Sequence, residues 1–217
     1  MGVRLLLADD HEIVRRGLRA LLEAEPGWEV VAEAVDGRDA IEKTKQMKPD
    51  VAILDIGMPS LNGLEAARQI VTSGLQTKVL ILTVHDADPV IQQVLEAGAR
   101  GYLLKSDAAR DLVTAVDALR RNKTFFTPKV AQMVLEGYLG KDTKDASAEG
   151  GCLRLTGRQR EIVQLLAEGK SSKEIACALG LSVKTAETHR ANIMRRLDCH
   201  SVTALVRYAI RNHIIDA

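Results

Sequence analysis

Aromatic residues make up only 3% of the 217 residues. They are nearly absent from the basic C-terminal part, which lacks the stacking platforms that single-stranded nucleic acid or RNA bases need. Cysteine is equally scarce. Cys152, Cys177 and Cys199 are an odd number with no CxxC and no Cys/His ligand spacing, which argues against zinc and against a disulfide scaffold and leaves small, reduced fillers. No apolar stretch approaches eighteen residues and no charged start leads into an apolar core, so the expectation is a soluble, cytoplasmic protein with no membrane partner. Neither GxxxxGK followed by Ser or Thr nor GxGxxG occurs, so the chain has no nucleotide-phosphate loop. The net charge is only +1, but it is unevenly spread: residues 152–217 hold 11 Lys/Arg against 6 Asp/Glu, a balance of +5, leaving 19 against 23, or −4, for the rest. The C-terminal part is the one suited to a polyanion. Hydrophobic (46%) and charged (27%) fractions are those of ordinary globular domains, and each half is long enough to bury a core.

Strand and helix patterns alternate five times between residues 3 and 121. A run at 3–8 precedes a helical pattern at 11–24, with Ile13, Val14, Leu18, Leu21 and Leu22 at helical spacing and Pro26-Gly27 as a stop. Strand 28–34 leads to Asp36, an N-cap for helix 37–47. Strand 51–54 is followed by helix 64–71, closed by Gly74, and strand 79–82 by helix 90–97, with Asp88-Pro89 as N-cap and first-turn proline and Gly98 as the close. Strand 101–104 leads through Asp107 to a last helix with Leu112, Val113, Val116 and Leu119 inward. Such alternation predicts an α/β fold, a doubly wound five-stranded parallel sheet with helices on both faces.

The chemistry gathers at the strand ends. Residues 51–63 (VAILDIGMPSLNG) begin as a strand buried on both faces and end on Asp55, followed by a loop of Gly57, Pro59 and Asn62-Gly63 with little side-chain bulk. Alone, Asp55 reads equally as a turn cap. Three of the other strands, however, stop on Asp9-Asp10, on Thr83 and on Lys105. Ligands of open parallel sheets bind at this carboxyl edge, and three acids, a hydroxyl and an amine there suit an anionic, metal-assisted site. His11 sits beside the acidic pair; His85, His200 and His213 suggest nothing catalytic.

Beyond 121, residues 125–138 carry one more short helical pattern, with Val130, Met133 and Val134. Residues 140–151 drop to small and charged types, a flexible tether. Then come four helical patterns. Thr156 starts one reaching Glu168, with Ile162, Val163, Leu165 and Leu166 on its apolar face and Gly169 ending it. Ser171 or Ser172 caps 173–179, with Glu174, Ile175, Ala176 and Leu179 packing inward. After the turn at Gly180-Leu181-Ser182 comes a basic helix, 183–197, and finally 201–212. A helix, a glycine-containing turn and a basic helix form a helix-turn-helix signature, giving a small all-α four-helix domain.

On these motifs the chain resembles two-component response regulators of the NarL/FixJ type: a receiver (phosphoacceptor) domain at 1–122, a short helix and linker at 123–152, and a LuxR-type helix-turn-helix domain at 153–217. The resemblance implies flavodoxin-like strand order 2-1-3-4-5 and Asp55 as phosphoacceptor. It implies Mg2+ (or Mn2+) on Asp10, Asp55 and the Gly57 backbone carbonyl, with Asp9 acting through water; hard cations of this kind take a few carboxylates and keep waters. Lys105 and Thr83 would hold the phosphoryl oxygens, and Tyr102 would be the aromatic that swings inward as the switch. The output surface would be residues 90–121. In the helix 183–197 the resemblance aims Glu187, Thr188 and Ala191 at bases and Lys184, Thr185, His189 and Arg190 at phosphate or sugar. Lys173, Arg195 and Arg196 are generic phosphate contacts or a solvated basic face. Glu187 is either a reader of a cytosine amino group or a solvated helix residue. A homodimer on paired half-sites would meet through 201–212 by Val202, Leu205 and Val206.

The implied function is a DNA-binding transcriptional regulator that takes its phosphoryl group from a sensor histidine kinase and acts on double-stranded promoter DNA. It would be no enzyme beyond catalysing its own aspartyl phosphorylation and dephosphorylation. One rival is a constitutive DNA-binding regulator with the receiver as an interaction module, which predicts a missing rim residue where all five are present. The other is a haloacid-dehalogenase-type phosphatase, whose second acid would fall where this chain has Gly57.

Overall fold

The computed structural model describes residues 2–84, 86–128, 130–132 and 155–215. Five strands, β1 (Val3–Ala8), β2 (Trp28–Ala34), β3 (Val51–Asp55), β4 (Lys78–Thr83) and β5 (Gly101–Leu104), form one parallel sheet in the order β2-β1-β3-β4-β5. Every residue of the central β3 is buried, because the sheet is covered on both faces. Helices α1 (Glu12–Glu23) and α5 (Ala108–Arg120) lie on one face, burying Leu18, Leu22, Leu112 and Leu119 against Leu5, Ile53 and Leu80. On the other, α2 (Gly37–Met47), α3 (Gly63–Thr72) and α4 (Asp88–Glu96) bury Ile41, Leu64, Ile70 and Val94 against Leu6, Leu54 and Ile81.

Local chemistry fixes the helix ends. Asp36 accepts from the backbone N–H groups of Arg38 and Asp39, and Asn62 caps α3 by accepting from Glu65 N. Gly74 and Gly98 adopt positive φ after α3 and α4. Two expectations are corrected, and the path through Asp107, the N-cap of α5, gains one detail. Asp88 is the first residue of α4 and Ala87 its N-cap, so the start rests on Pro89 without a side-chain cap. A 3-10 turn (Lys105–Asp107) precedes α5. Ile13 shares the periodicity of α1, yet is 87% exposed, and Leu21 is also exposed.

The C-terminal unit consists of α6 (Gly157–Ala167), α7 (Ser172–Leu179), α8 (Val183–Arg196) and α9 (Val202–Arg211). Its core joins Ile162, Val163, Leu166, Ile175, Ile193 and Leu205. Thr156 with Gln159, and Ser171 with Glu174, form capping boxes; Glu174 is therefore a cap facing solvent rather than an inward residue. Cys199 is buried as expected, whereas Cys177 is exposed. The expected tether at 140–151, Cys152, His85, and Met133 and Val134 of the 125–138 pattern lie outside the described residues.

The two units meet through polar groups. Gln164 of α6 accepts from the Asn62 N–H (2.8 Å) and donates to the Met58 carbonyl (3.0 Å), while Glu168 accepts from the Ser60 N–H (2.9 Å). Glu161 accepts from Arg38 of α2 and Gln69 of α3 as well as from its own Arg158. Arg160 pairs with Glu65 (2.9 Å), Asn62 donates to the Ile214 carbonyl (3.0 Å), and Gln93 donates to the Asn212 carbonyl (3.3 Å). A Cβ on Gly157 would press on Glu65 Oε1, so glycine permits this approach.

Candidate functional site

Parallel pairing of β1, β3 and β4 brings their C-terminal ends to one rim. Asp55 ends β3 and is almost fully buried; Asp9, just past β1, is 1% exposed, and Asp10 is the more open acid. Lys105 Nζ sits 2.7 Å from Asp9 Oδ2 and 3.1 Å from Asp55 Oδ2. His11, whose part had no sequence signal beyond adjacency, closes the other side: its N–H donates to Asp9 Oδ1 and its Nδ1 lies 2.8 Å from Asp10 Oδ1. The ligand atoms of Asp9, Asp10, His11 and Asp55 all fall within 4.8 Å of one another. Gly57 follows in a tight turn closed by Met58 N–H to the Ile56 carbonyl at 2.9 Å. A Cβ on Gly63 would collide with the Asp55 carbonyl oxygen, so only glycine lets α3 start this close to the rim.

Burial dominates the electrostatics. Asp55 is pushed up from 3.8 to about 6 by desolvation, which Lys105 opposes and Asp9 reinforces. Desolvation pulls the Lys105 ammonium down, but Asp9 and Asp55 together outweigh it and its pKa is raised. Thr83 is buried at the end of β4, and Tyr102, beside Ile81 in the sheet, is fully buried. Burial, then the charge of Asp86, raises the Tyr102 phenol to about 12.

The second constellation is α8. Ser182 caps it, accepting from Thr185 N–H at 3.1 Å, and Ala186 and Ile193 anchor it to the core. Lys184, Thr185, Glu187, Thr188, Ala191 and Arg195 are exposed and His189 and Arg190 half-buried. The docked receiver therefore leaves the outer face of α8 open. Thr188 spends its hydroxyl hydrogen on the Lys184 carbonyl, 2.8 Å away. On α9, Val202 is exposed and Val206 half-buried, but Leu205 is turned into the domain core. That corrects the expectation for Leu205: helical spacing gave its period, not its face.

Residues 5–117 match the response regulator receiver domain, and residues 153–209 match the bacterial regulatory proteins of the luxR family. Over 99% of this chain and 100% of the relative's length, the chain is 38% identical both to the oxygen regulatory protein NreC of Staphylococcus carnosus and to the transcriptional regulatory protein LiaR of Bacillus subtilis. Among solved structures, a complex of two RcsB dimers bound to two parallel DNAs matches with a TM-score of 0.58 at 27% identity, covering 98% of this chain and 99% of that one. The chain is a response regulator. It joins a receiver to a LuxR-type DNA-binding domain in the NarL/FixJ arrangement, with the strand order that the resemblance implied.

The acidic rim of this response regulator suits a hard divalent cation. Its donors are carboxylate oxygens, and Asp9 Oδ2, which meets the Lys105 ammonium at 2.7 Å, keeps a further lone pair for a ligand. One ammonium faces two buried carboxylates, so an added positive charge is favoured there. The inter-domain residues of the regulator, Glu161, Gln164 and Glu168, gave no sequence signal because each reads as an ordinary polar helix residue. Among the described residues no helix is long and apolar enough to cross a membrane.

Proposed function

We propose that this response regulator accepts a phosphoryl group on Asp55 from the phosphohistidine of a sensor kinase or from a small acyl phosphate, and that the modification controls pairing of the chain on promoter DNA. A carboxylate oxygen of Asp55 forms the new bond to phosphorus as the donor's P–N or P–O bond breaks, and the leaving group carries away the electron pair. Asp10, Asp55 and the Gly57 carbonyl would hold Mg2+ (or Mn2+), with Asp9 acting through water. When bound, the cation offsets the repulsion between the incoming phosphoryl oxygens and the rim. Lys105 would exchange its carboxylate partners for phosphoryl oxygens, with Thr83 donating a hydrogen bond and the buried Tyr102 as the aromatic of the switch. In this reading the protein is no turnover enzyme; it catalyses only the gain and loss of its own phosphoryl group.

At the other end, Lys184, Thr185, His189, Arg190 and Arg195 contact the DNA backbone and Glu187, Thr188 and Ala191 face base edges, with Val202 and Val206 at the homodimer contact. The observation that carries the reading is Lys105 bridging Asp9 and the buried, proton-prone Asp55. Intact-mass analysis after incubation with acetyl phosphate and Mg2+ tests it. Wild type should gain one phosphoryl group, and Asp55→Asn or omission of the metal should give none; equal incorporation in Asp55→Asn would reject it.

A further inference from the structure

The loop from Ile56 to Asn62 carries Gly57, yet part of what fixes its shape lies in the other domain. Its own backbone satisfies Met58 N–H and Gly63 N–H on the Ile56 carbonyl and Leu61 N–H on the Pro59 carbonyl. Three further main-chain groups, the Met58 carbonyl and the Ser60 and Asn62 N–H groups, are held by Gln164 and Glu168 of α6. Ser60 also holds a φ of +64°, a conformation that costs a serine about 1 kcal/mol and persists only when the surroundings impose it. Gln164 is only 1% exposed, so its amide spans the two units out of competition with water.

We propose that Gln164, seconded by Glu168, is a positioning residue for the receiver's metal site: the DNA-binding domain clamps the loop and so pre-orders the Gly57 carbonyl. This rests on the reading of Asp10, Asp55 and Gly57 as the cation's ligands. The held Met58 carbonyl lies one peptide beyond that of Gly57, and the turn at Gly57 is closed by Met58 N–H. Freeing the loop lets the Gly57 peptide rotate, and the cation must then order it on binding. Linkage is reciprocal, so Mg2+ must strengthen docking by the same factor.

The test is a calorimetric Mg2+ titration of the full-length chain. Gln164→Ala should raise the Mg2+ dissociation constant about three- to tenfold, the size of one or two lost hydrogen bonds. Glu168→Ala should raise it less, and Glu168→Gln, whose amide oxygen still accepts from Ser60, should restore the wild-type value. Hydrogen exchange at the Ser60 and Asn62 amides should slow on Mg2+ addition in wild type, and the Asn62 amide, its acceptor gone, should exchange faster than wild type in Gln164→Ala. Because Glu168 is the C-cap residue outside the domain core, the Ala/Gln pair keeps the question open to measurement even if Gln164→Ala fails to fold. Unchanged or tighter Mg2+ binding in Gln164→Ala and Glu168→Ala, with binding lost in Asp10→Asn, would overturn the clamp and leave the site reading intact. Mg2+ binding that survives in Asp10→Asn and in Asp55→Asn would overturn the site reading and the clamp with it.

Discussion

Asp55 loses most of its water on folding, and that loss outweighs the attraction of Lys105, so its carboxyl titrates at about 6 rather than 3.8. An acid whose folded pKa is raised destabilises the fold wherever its unfolded form is ionised. The penalty is absent below about pH 4, grows towards pH 6 and is constant above it. In metal-free buffer Asp55→Asn should therefore be more stable than wild type above pH 6, by up to about 3 kcal/mol, with the gap closing towards pH 4. Urea unfolding at four pH values checks this, and a gap independent of pH would contradict it. Asp9, Asp10, Asp55, Thr83 and Lys105 were legible because a parallel sheet delivers every strand's C-terminal end to one edge. His11 was not, since its backbone N–H makes the decisive bond to Asp9 and main-chain donors carry no sequence signature.

At the scale of elements, the close start of α3 depends on Gly63. Gly63→Ala should cost on the order of 1–3 kcal/mol, the range for overpacking, and abolish phosphoryl incorporation, because the new methyl displaces the backbone of Asp55 itself. A thermal melt and the acetyl phosphate assay read both effects. On α8, Lys184→Ala should weaken binding to all duplexes alike and reduce the salt slope by about 1, whereas Glu187→Ala should relax preference at one base pair and leave the slope unchanged. Salt-dependent binding to a panel of duplexes separates the two. Helix existence and caps such as Asp36 and Thr156 could be read from sequence, because they depend on neighbours a few residues away. The outward face of Ile13 and the inward face of Leu205 could not: periodicity says which residues share a face, and only the packing partner says which way it points.

At the scale of the molecule, Glu161 and Gln164 tie the α2–α3 side of the receiver to α6. Polar side chains on a short amphipathic helix look like solvent contacts until the second domain is in place, which is why this seam was invisible in the sequence. Glu161→Ala removes the acceptor shared by Arg38, Gln69 and Arg158; taking it from the two receiver donors, Arg38 and Gln69, should loosen docking and raise the radius of gyration seen by solution scattering. Affinity for a single half-site should stay within about twofold of wild type, because losing those docking contacts changes nothing that α8 presents. A large gain in half-site affinity would mean that docking hides the helix after all. With its reading edge bare while the two halves are clasped, the resting protein resembles a key already out of its case. No parting of the halves stands between that edge and a duplex.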